Sequence, residues 1–214
     1  STTVDYHSVL IPQGIYHFYN KAVSGRKLFQ DHSDYQRFMD KFKNYFHPYL
    51  YLLAYCLIPN HYHFLVLLKE ENDEFFQSVQ QENSKAGRLF LSGQYSMSEF
   101  LSDQFRKLLS SHSLYVNKKY KRNGPLLRTK SKRTEVSSEI KLWDLLCYIH
   151  HNPIHHGLTE SYTQWFYSSY SGYFSKELDL GYEKVLEWLG DGNLSTGLLE
   201  YVKMHQNYKM NFER

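Results

Sequence analysis

The sequence predicts an α+β fold: a ferredoxin-like split βαβ sandwich, with a mainly antiparallel central sheet and helices on its faces. Three observations lead there. Two apolar runs, residues 51–58 and 61–68, are separated only by Pro59-Asn60, which makes them neighbouring antiparallel strands. A segment of helical period lies before this pair and another after it. Outside those helices lie two further strand candidates, giving the order strand–helix–strand–strand–helix–strand.

Residues 14–23 are rich in β-branched and aromatic side chains and read as the first strand. Ser24-Gly25 then turns the chain. Tyr35, Phe38, Phe42 and Tyr45 recur at helical spacing, with Ser33 or Asp34 as the cap and Pro48 just beyond the end. The strand pair follows. Residues 70–93 are mixed and polar and fit helix or loop. Residues 96–120 read as a long helix with Phe100, Phe105, Leu108, Leu109, Tyr115 and Val116 on its apolar face, broken by Asn123-Gly124-Pro125. Residues 126–136 carry a basic run and read as the last strand.

Ser137 or Ser138 caps the next helix, which continues through Leu142, Trp143, Leu145, Leu146 and Ile149. It is expected to stop near Asn152, because a residue before proline disfavours α geometry. An aromatic, serine-rich stretch at 165–173 follows. Residues 182–190 and 196–208 read as short amphipathic helices.

With 214 residues the chain is long enough for one sizeable core, and 20 Tyr with 14 Phe mark it as globular rather than disordered. Cys56 and Cys147 sit in apolar segments without metal spacing, and read as buried free thiols of a reducing cytoplasm. No run of ~18 apolar residues is present, so no membrane helix is expected. The formal charge is only +3, but its distribution is uneven. Lys118, Lys119, Lys121 and Arg122, then Arg128, Lys130, Lys132 and Arg133, crowd one region. Such a cluster suits phosphate contacts, and equally a solvated basic face.

Side chains alternate faces along a strand, so His61 and His63 point the same way beside a tight turn. Two imidazoles so placed can chelate one divalent ion, though a hard cation needs oxygen donors and water as well. Tyr148 and Asn152 are four apart and share a face if helical. The phenol is a nucleophile candidate and the amide oxygen a third ligand candidate. Equally, Tyr148 fits a core aromatic and Asn152 a helix C-terminal residue.

At these residues the chain resembles a known family. Residues 58–66, containing Pro59-Asn60-His61-Tyr62-His63, resemble the HUH motif of single-strand DNA transposases with one catalytic tyrosine. Residues 148–158, beginning Tyr148-Ile149-His150-His151-Asn152-Pro153, resemble the tyrosine motif of the REP-associated tyrosine transposase branch. Residues 14–23, 34–38 and 165–170 are similar to the family's first strand, first helix and post-tyrosine segment. The likeness runs in order over about residues 10–175. One departure stands out: after Gly124-Pro125-Leu126 the family carries an aromatic residue, Gln or Glu, Gly and Arg, where this chain has Leu127-Arg128-Thr129-Lys130.

The resemblance implies a transposase and endonuclease domain over residues 1–175 and a helical C-terminal extension over 176–214, packed on or beside it. It implies His61, His63 and Asn152 as ligands of Mg²⁺ or Mn²⁺, and Tyr148 as the nucleophile that forms a 5′-phosphotyrosine link. The expected substrate is single-stranded DNA with hairpin elements, with phosphate contacts from Arg122, Arg128, Lys130, Lys132 and Arg133. His150, His151, His155 and His156 are expected to face DNA or solvent. A cytoplasmic, nucleoid-associated bacterial protein is implied. The family includes homodimers that exchange the tyrosine helix and branches that act as monomers, and both states stay open. So does a domesticated nucleic-acid-binding module that keeps the fold with cleavage lost or reduced.

Overall fold

The computed structural model describes residues 4–212, so the outermost residues of both expected spans lie outside it. Four strands form one sheet: β1 (Ile15–Lys21), β2 (Leu50–Ile58), β3 (His61–Leu68) and β4 (Lys132–Glu135). Their order is β2-β3-β1-β4, and each neighbouring pair is antiparallel. This is the split βαβ arrangement, in which β1 is inserted between the β2–β3 hairpin and the last strand.

Alternation along the strands divides the core into two layers. Tyr16 and Phe18 of β1 and Tyr62, Phe64 and Val66 of β3 turn to one face. There they meet α1 (His32–Phe46) and α4 (Met97–Lys119), with Phe42 stacked on Phe64 at 4.0 Å between ring centroids. Leu53, Cys56, Ile58 and Leu65 turn to the other face. They are covered by α5 (Glu139–His155), α6 (Leu180–Leu189) and α7 (Leu194–Phe212). Cys56 and Cys147 are buried free thiols. Among the described residues, no helix is long and apolar enough to cross a membrane.

Local chemistry sets the boundaries. α1 begins at Asp31, which forms a reciprocal capping box with Asp34, so the N-cap lies earlier than Ser33 or Asp34. Ser96 and Glu99 form the same box at the start of α4. Residues 70–93 resolve into α2 (Asp73–Glu82) and α3 (Lys85–Leu91), capped by Asn72 and Ser84. β4 is shorter than the expected 126–136. The Arg128-Thr129-Lys130 stretch has no apolar face to bury, and joins the sheet through an Ala22–Leu127 bridge, the Arg128 N–H donating to the Lys21 carbonyl (3.0 Å) and the Asn20 amide donating to the Thr129 carbonyl (2.9 Å).

α5 does not stop before Pro153. The proline lies inside the helix, which ends at His155. A proline there removes one backbone hydrogen bond and crowds the preceding turn, at a cost of about 3 kcal/mol. Ile149, Asn152 and Pro153 are all buried, and their packing offsets that cost. The backbone resumes at once, with His156 N–H donating to Asn152 (3.0 Å) and Leu158 N–H to Pro153 (2.8 Å).

Candidate functional site

The antiparallel register of β1 and β3 opposes Tyr19 to His63 and Lys21 to His61. His17, Tyr19, Lys21, His61 and His63 therefore share one face of the sheet, the face α5 crosses. α5 is seated by Leu142, Leu146 and Ile149 on the β2 side chains Leu53, Cys56 and Ile58. That seating brings Tyr148 and Asn152, one helical turn apart, over the histidines. The Tyr148 and His63 rings meet edge to face at 5.6 Å. The Asn152 Oδ1 lies 3.0 Å from His61 Nε2. His61 and His63 are nearly perpendicular, with centroids 5.1 Å apart. Tyr148 is 39 % exposed, whereas His61 and His63 are 8 % and 6 % exposed, so the phenol faces solvent and the imidazoles do not.

Burial keeps both imidazoles neutral. It pushes His61 down to about 4, against a smaller upward pull from Asn152, with His156, Lys21 and His155 adding to the fall. His63 lies well below the usual histidine range, first through burial and then through His17, His61 and His156. Neutral imidazole is the form that binds a metal.

The hydrogen-bond pattern tests whether a cation fits. Neutral His61 carries one ring proton, yet both nitrogens face amide oxygens: Nδ1 meets Asn60 Oδ1 at 2.8 Å, and Nε2 meets Asn152 Oδ1. The Asn152 amide is oriented by its Nδ2, which donates to the Tyr148 carbonyl at 3.1 Å. With the His61 proton on Nδ1, toward Asn60, the lone pairs of His61 Nε2 and Asn152 Oδ1 converge. His63 Nε2 is buried without a hydrogen-bond partner among the described residues. Asn152 faces the His63 ring closely enough to pull it slightly upward as a side-chain hydrogen-bond partner, although the contact falls short of a well-formed bond to Nε2. Two imidazole nitrogens and one amide oxygen thus suit a divalent cation whose other positions go to water and phosphate oxygens. Among the described residues, no group of three or more His, Cys, Asp or Glu side chains could hold a metal ion.

The five basic residues separate. Lys132 opposes Tyr19 in the β1–β4 register and holds its ammonium 5.9 Å from that ring, on the histidine face. Arg122, Arg128 and Lys130 are exposed on the α4–β4 connection. Arg133 points the other way. Its Nε donates to the Ser8 carbonyl (2.7 Å), one terminal nitrogen to Ser102 Oγ, and the other to Ser98 Oγ (3.5 Å). This guanidinium ties the N-terminal segment to α4.

His150 and His151 also depart from expectation, since both are buried. His150 is bracketed by His205 Nε2 (2.8 Å) and Ser169 Oγ (2.6 Å), and His151 meets the Tyr162 hydroxyl at 3.0 Å. They face α7 and the segment leading to it, not solvent. His155 and His156 are exposed, and the His156 ring lies 4.8 Å from that of His61.

Three residues join the site that their types alone did not single out. Asn60 contacts His61, Lys21 opposes it across the sheet, and His17 Nε2 lies 2.9 Å from His63 Nδ1. The signal for the last two was strand parity: His17, Tyr19 and Lys21 alternate with the apolar Tyr16 and Phe18. Beside His61, a cavity of ≈ 380 Å³ is lined by Gly25, Arg26, Lys27, Asn60, His156 and others, with no carboxylate among its lining residues.

No family model matches this chain, and no curated protein matches it in sequence. Among solved structures, that of a REP-associated tyrosine transposase bound to a REP hairpin is similar. The match covers 84 % of this chain and 90 % of that one, with a TM-score of 0.57 and 14 % sequence identity. At that identity the likeness is one of fold.

Proposed function

We propose that this chain is a metal-dependent single-strand DNA endonuclease and transposase that cleaves and rejoins hairpin-flanked DNA through a tyrosine nucleophile. The observation that carries the reading is the convergence of an exposed phenol, two buried neutral imidazoles and an oriented amide on one sheet face. The fold likeness to a transposase bound to a REP hairpin is consistent with it.

In this reading His61, His63 and Asn152 hold Mg²⁺ or Mn²⁺. The ion supplies Lewis acidity and charge neutralisation toward a phosphate. Tyr148 gives up its proton, and its oxygen bonds to the scissile phosphorus. The bond from phosphorus to the 3′ oxygen of the preceding nucleotide breaks, and that oxygen takes up a proton. The product is a 5′-phosphotyrosine and a free 3′-hydroxyl. The phosphodiester is conserved as an ester, so rejoining reverses the step and needs no nucleotide cofactor.

Lys21 and Lys132 flank the histidine face on the sheet. Arg26 and Lys27 line the adjoining cavity, and Arg122, Arg128 and Lys130 lie exposed on the α4–β4 connection. Together they would give a strand leaving the site a cationic path.

A denaturing gel of the protein with 3′-labelled hairpin DNA and Mn²⁺ tests the reading, because the 5′-phosphotyrosine link keeps the 3′ end on the protein. The wild type should give a protein–DNA adduct that survives denaturation. Tyr148→Phe should give none while still retarding the hairpin in a native gel. His61→Ala with His63→Ala should remove the Mn²⁺ dependence. A protein that retards the hairpin but yields no adduct in any metal is a binding module, and the catalytic reading then fails.

A further inference from the structure

His63 presents an unusual pair of environments. Its Nε2 faces the site, buried and without a hydrogen-bond partner among the described residues. Its Nδ1 lies 2.9 Å from Nε2 of His17, on the neighbouring strand. The two rings are nearly coplanar, 13° from parallel with centroids 5.1 Å apart, and the Tyr19 ring lies against a face of His17 at 4.4 Å. His17 is 7 % exposed. It opposes Leu65 in the register, one diagonal step from His63, so this contact is set by the strand pairing and not by a mobile loop.

A neutral imidazole has one N–H and one lone pair. Were the His63 proton on Nε2, a buried donor would be left unsatisfied in the site. With the proton on Nδ1, it is donated to His17 and the Nε2 lone pair is free. Imidazoles that bind metals are usually oriented by such a bond from the other ring nitrogen to a carboxylate, carbonyl or water. Here the acceptor is a second imidazole, and Asn60 takes the corresponding place for His61.

We propose that His17 is the positioning residue of this site: it accepts the Nδ1 proton of His63, fixes that ring's tautomer and angle, and so makes Nε2 a metal donor. The proposal rests on the metal reading given above. It does not make His17 a ligand, because the one nitrogen shown in contact is the one turned toward His63.

Two measurements on the full chain test it. The first is the ring ¹⁵N spectrum of the histidine-labelled, metal-free protein at neutral pH. His63 should carry its proton on Nδ1 in the wild type, and should move toward the Nε2-protonated form in His17→Phe. A wild-type His63 protonated on Nε2 overturns the proposal without any variant. The second is Mn²⁺ binding by calorimetry. His17→Phe keeps an aromatic ring but cannot accept, and should weaken binding by about 10–100-fold. His17→Gln, which restores an acceptor oxygen, should recover most of that loss; a merely structural role would not be rescued in this way.

Equal Mn²⁺ affinity in wild type and His17→Phe removes this proposal and leaves the metal reading standing. A wild type that binds no Mn²⁺ removes both.

Discussion

Acid should unfold this protein well above the range in which its carboxylates titrate, and buried histidines set the size of the effect. His112 of α4 is 3 % exposed, donates Nε2–H to the Leu28 carbonyl at 2.7 Å and packs between Phe29 and Phe38. His205 of α7 is fully buried against His150. Burial pushes each down to about 4. A folded value below the unfolded one near 6.5 means that the unfolded chain binds more protons on acidification. The stabilisation is therefore complete above about pH 6.5 and is lost as pH falls toward 4.

Between pH 7 and pH 5 each such group costs about 2 kcal/mol, so His112 and His205 together remove about 4 kcal/mol. His17, His61, His63 and His150 are shifted in the same direction and add to the loss. Glu82, raised by burial, opposes it slightly. Asp31, Asp34 and Asp103 are lowered and respond only in more acidic solution. Against a typical domain stability of about 5–15 kcal/mol, unfolding should set in near pH 5. Urea titrations followed by tryptophan fluorescence at intervals from pH 7.5 to 5 measure this. His112→Gln should reduce the slope by about 1.2 kcal/mol per pH unit in the window from 6 to 5. Stability equal at pH 7 and pH 5 to within about 1 kcal/mol would refute the reasoning.

Other variants test single contacts. Lys130→Ala with Lys132→Ala should weaken hairpin binding and flatten its dependence on salt by about two phosphate contacts, read from binding isotherms at several salt concentrations. Arg133→Ala should leave that slope unchanged and instead lower stability by about 1–3 kcal/mol, because its partners lose their donor. Asp34 is fully buried and accepts from Lys119 (2.8 Å), Tyr115 (2.8 Å), Tyr120 (2.5 Å) and the Gln30 backbone (2.8 Å). Asp34→Ala should cost about 3–5 kcal/mol in denaturant unfolding, since it removes the shared acceptor of all four, although Lys119 keeps Asp31 (2.7 Å). A β-carbon at Gly197 would collide with the Leu186 carbonyl of α6. Gly197→Ala should loosen the α6–α7 pair by about 1–3 kcal/mol, visible as faster amide exchange in α7.

The hairpin and its histidines were legible because strand alternation is a local rule: once 61–68 is a strand, His61 and His63 share a face whatever surrounds them. The strand order was legible from the order of the elements. Arg133 was not. Lys132 and Arg133 are adjacent and chemically alike, and only the β1–β4 register decides that one reaches the histidine face and the other the α4 layer. That register depends on where β4 starts, which an unpatterned basic run does not announce. His150 and His151 were misread for a related reason. Histidine composition looks solvent-facing until an element distant in sequence arrives to cover it, and the cover here is α7 with the 162–169 segment. His17 lies between those cases: its parity was visible, but its partnership with His63 needs the β1–β3 pairing.

Pro153 shows why local and tertiary terms must be weighed together at this site. The steric rule for the residue before proline would end α5 at Asn152 and free that side chain from a fixed direction. The helix instead continues, because Asn152 and Pro153 are buried against the sheet and the chain regains hydrogen bonds at His156 and Leu158. The consequence is geometric. Asn152 stays one turn from Tyr148, its Nδ2 bonds the Tyr148 carbonyl, and its Oδ1 is aimed at His61. A helix that ended at the proline would still carry both residues, but nothing would hold the amide oxygen beside the imidazole. The burial that overrides the proline is therefore also what holds the amide oxygen beside the His61 imidazole.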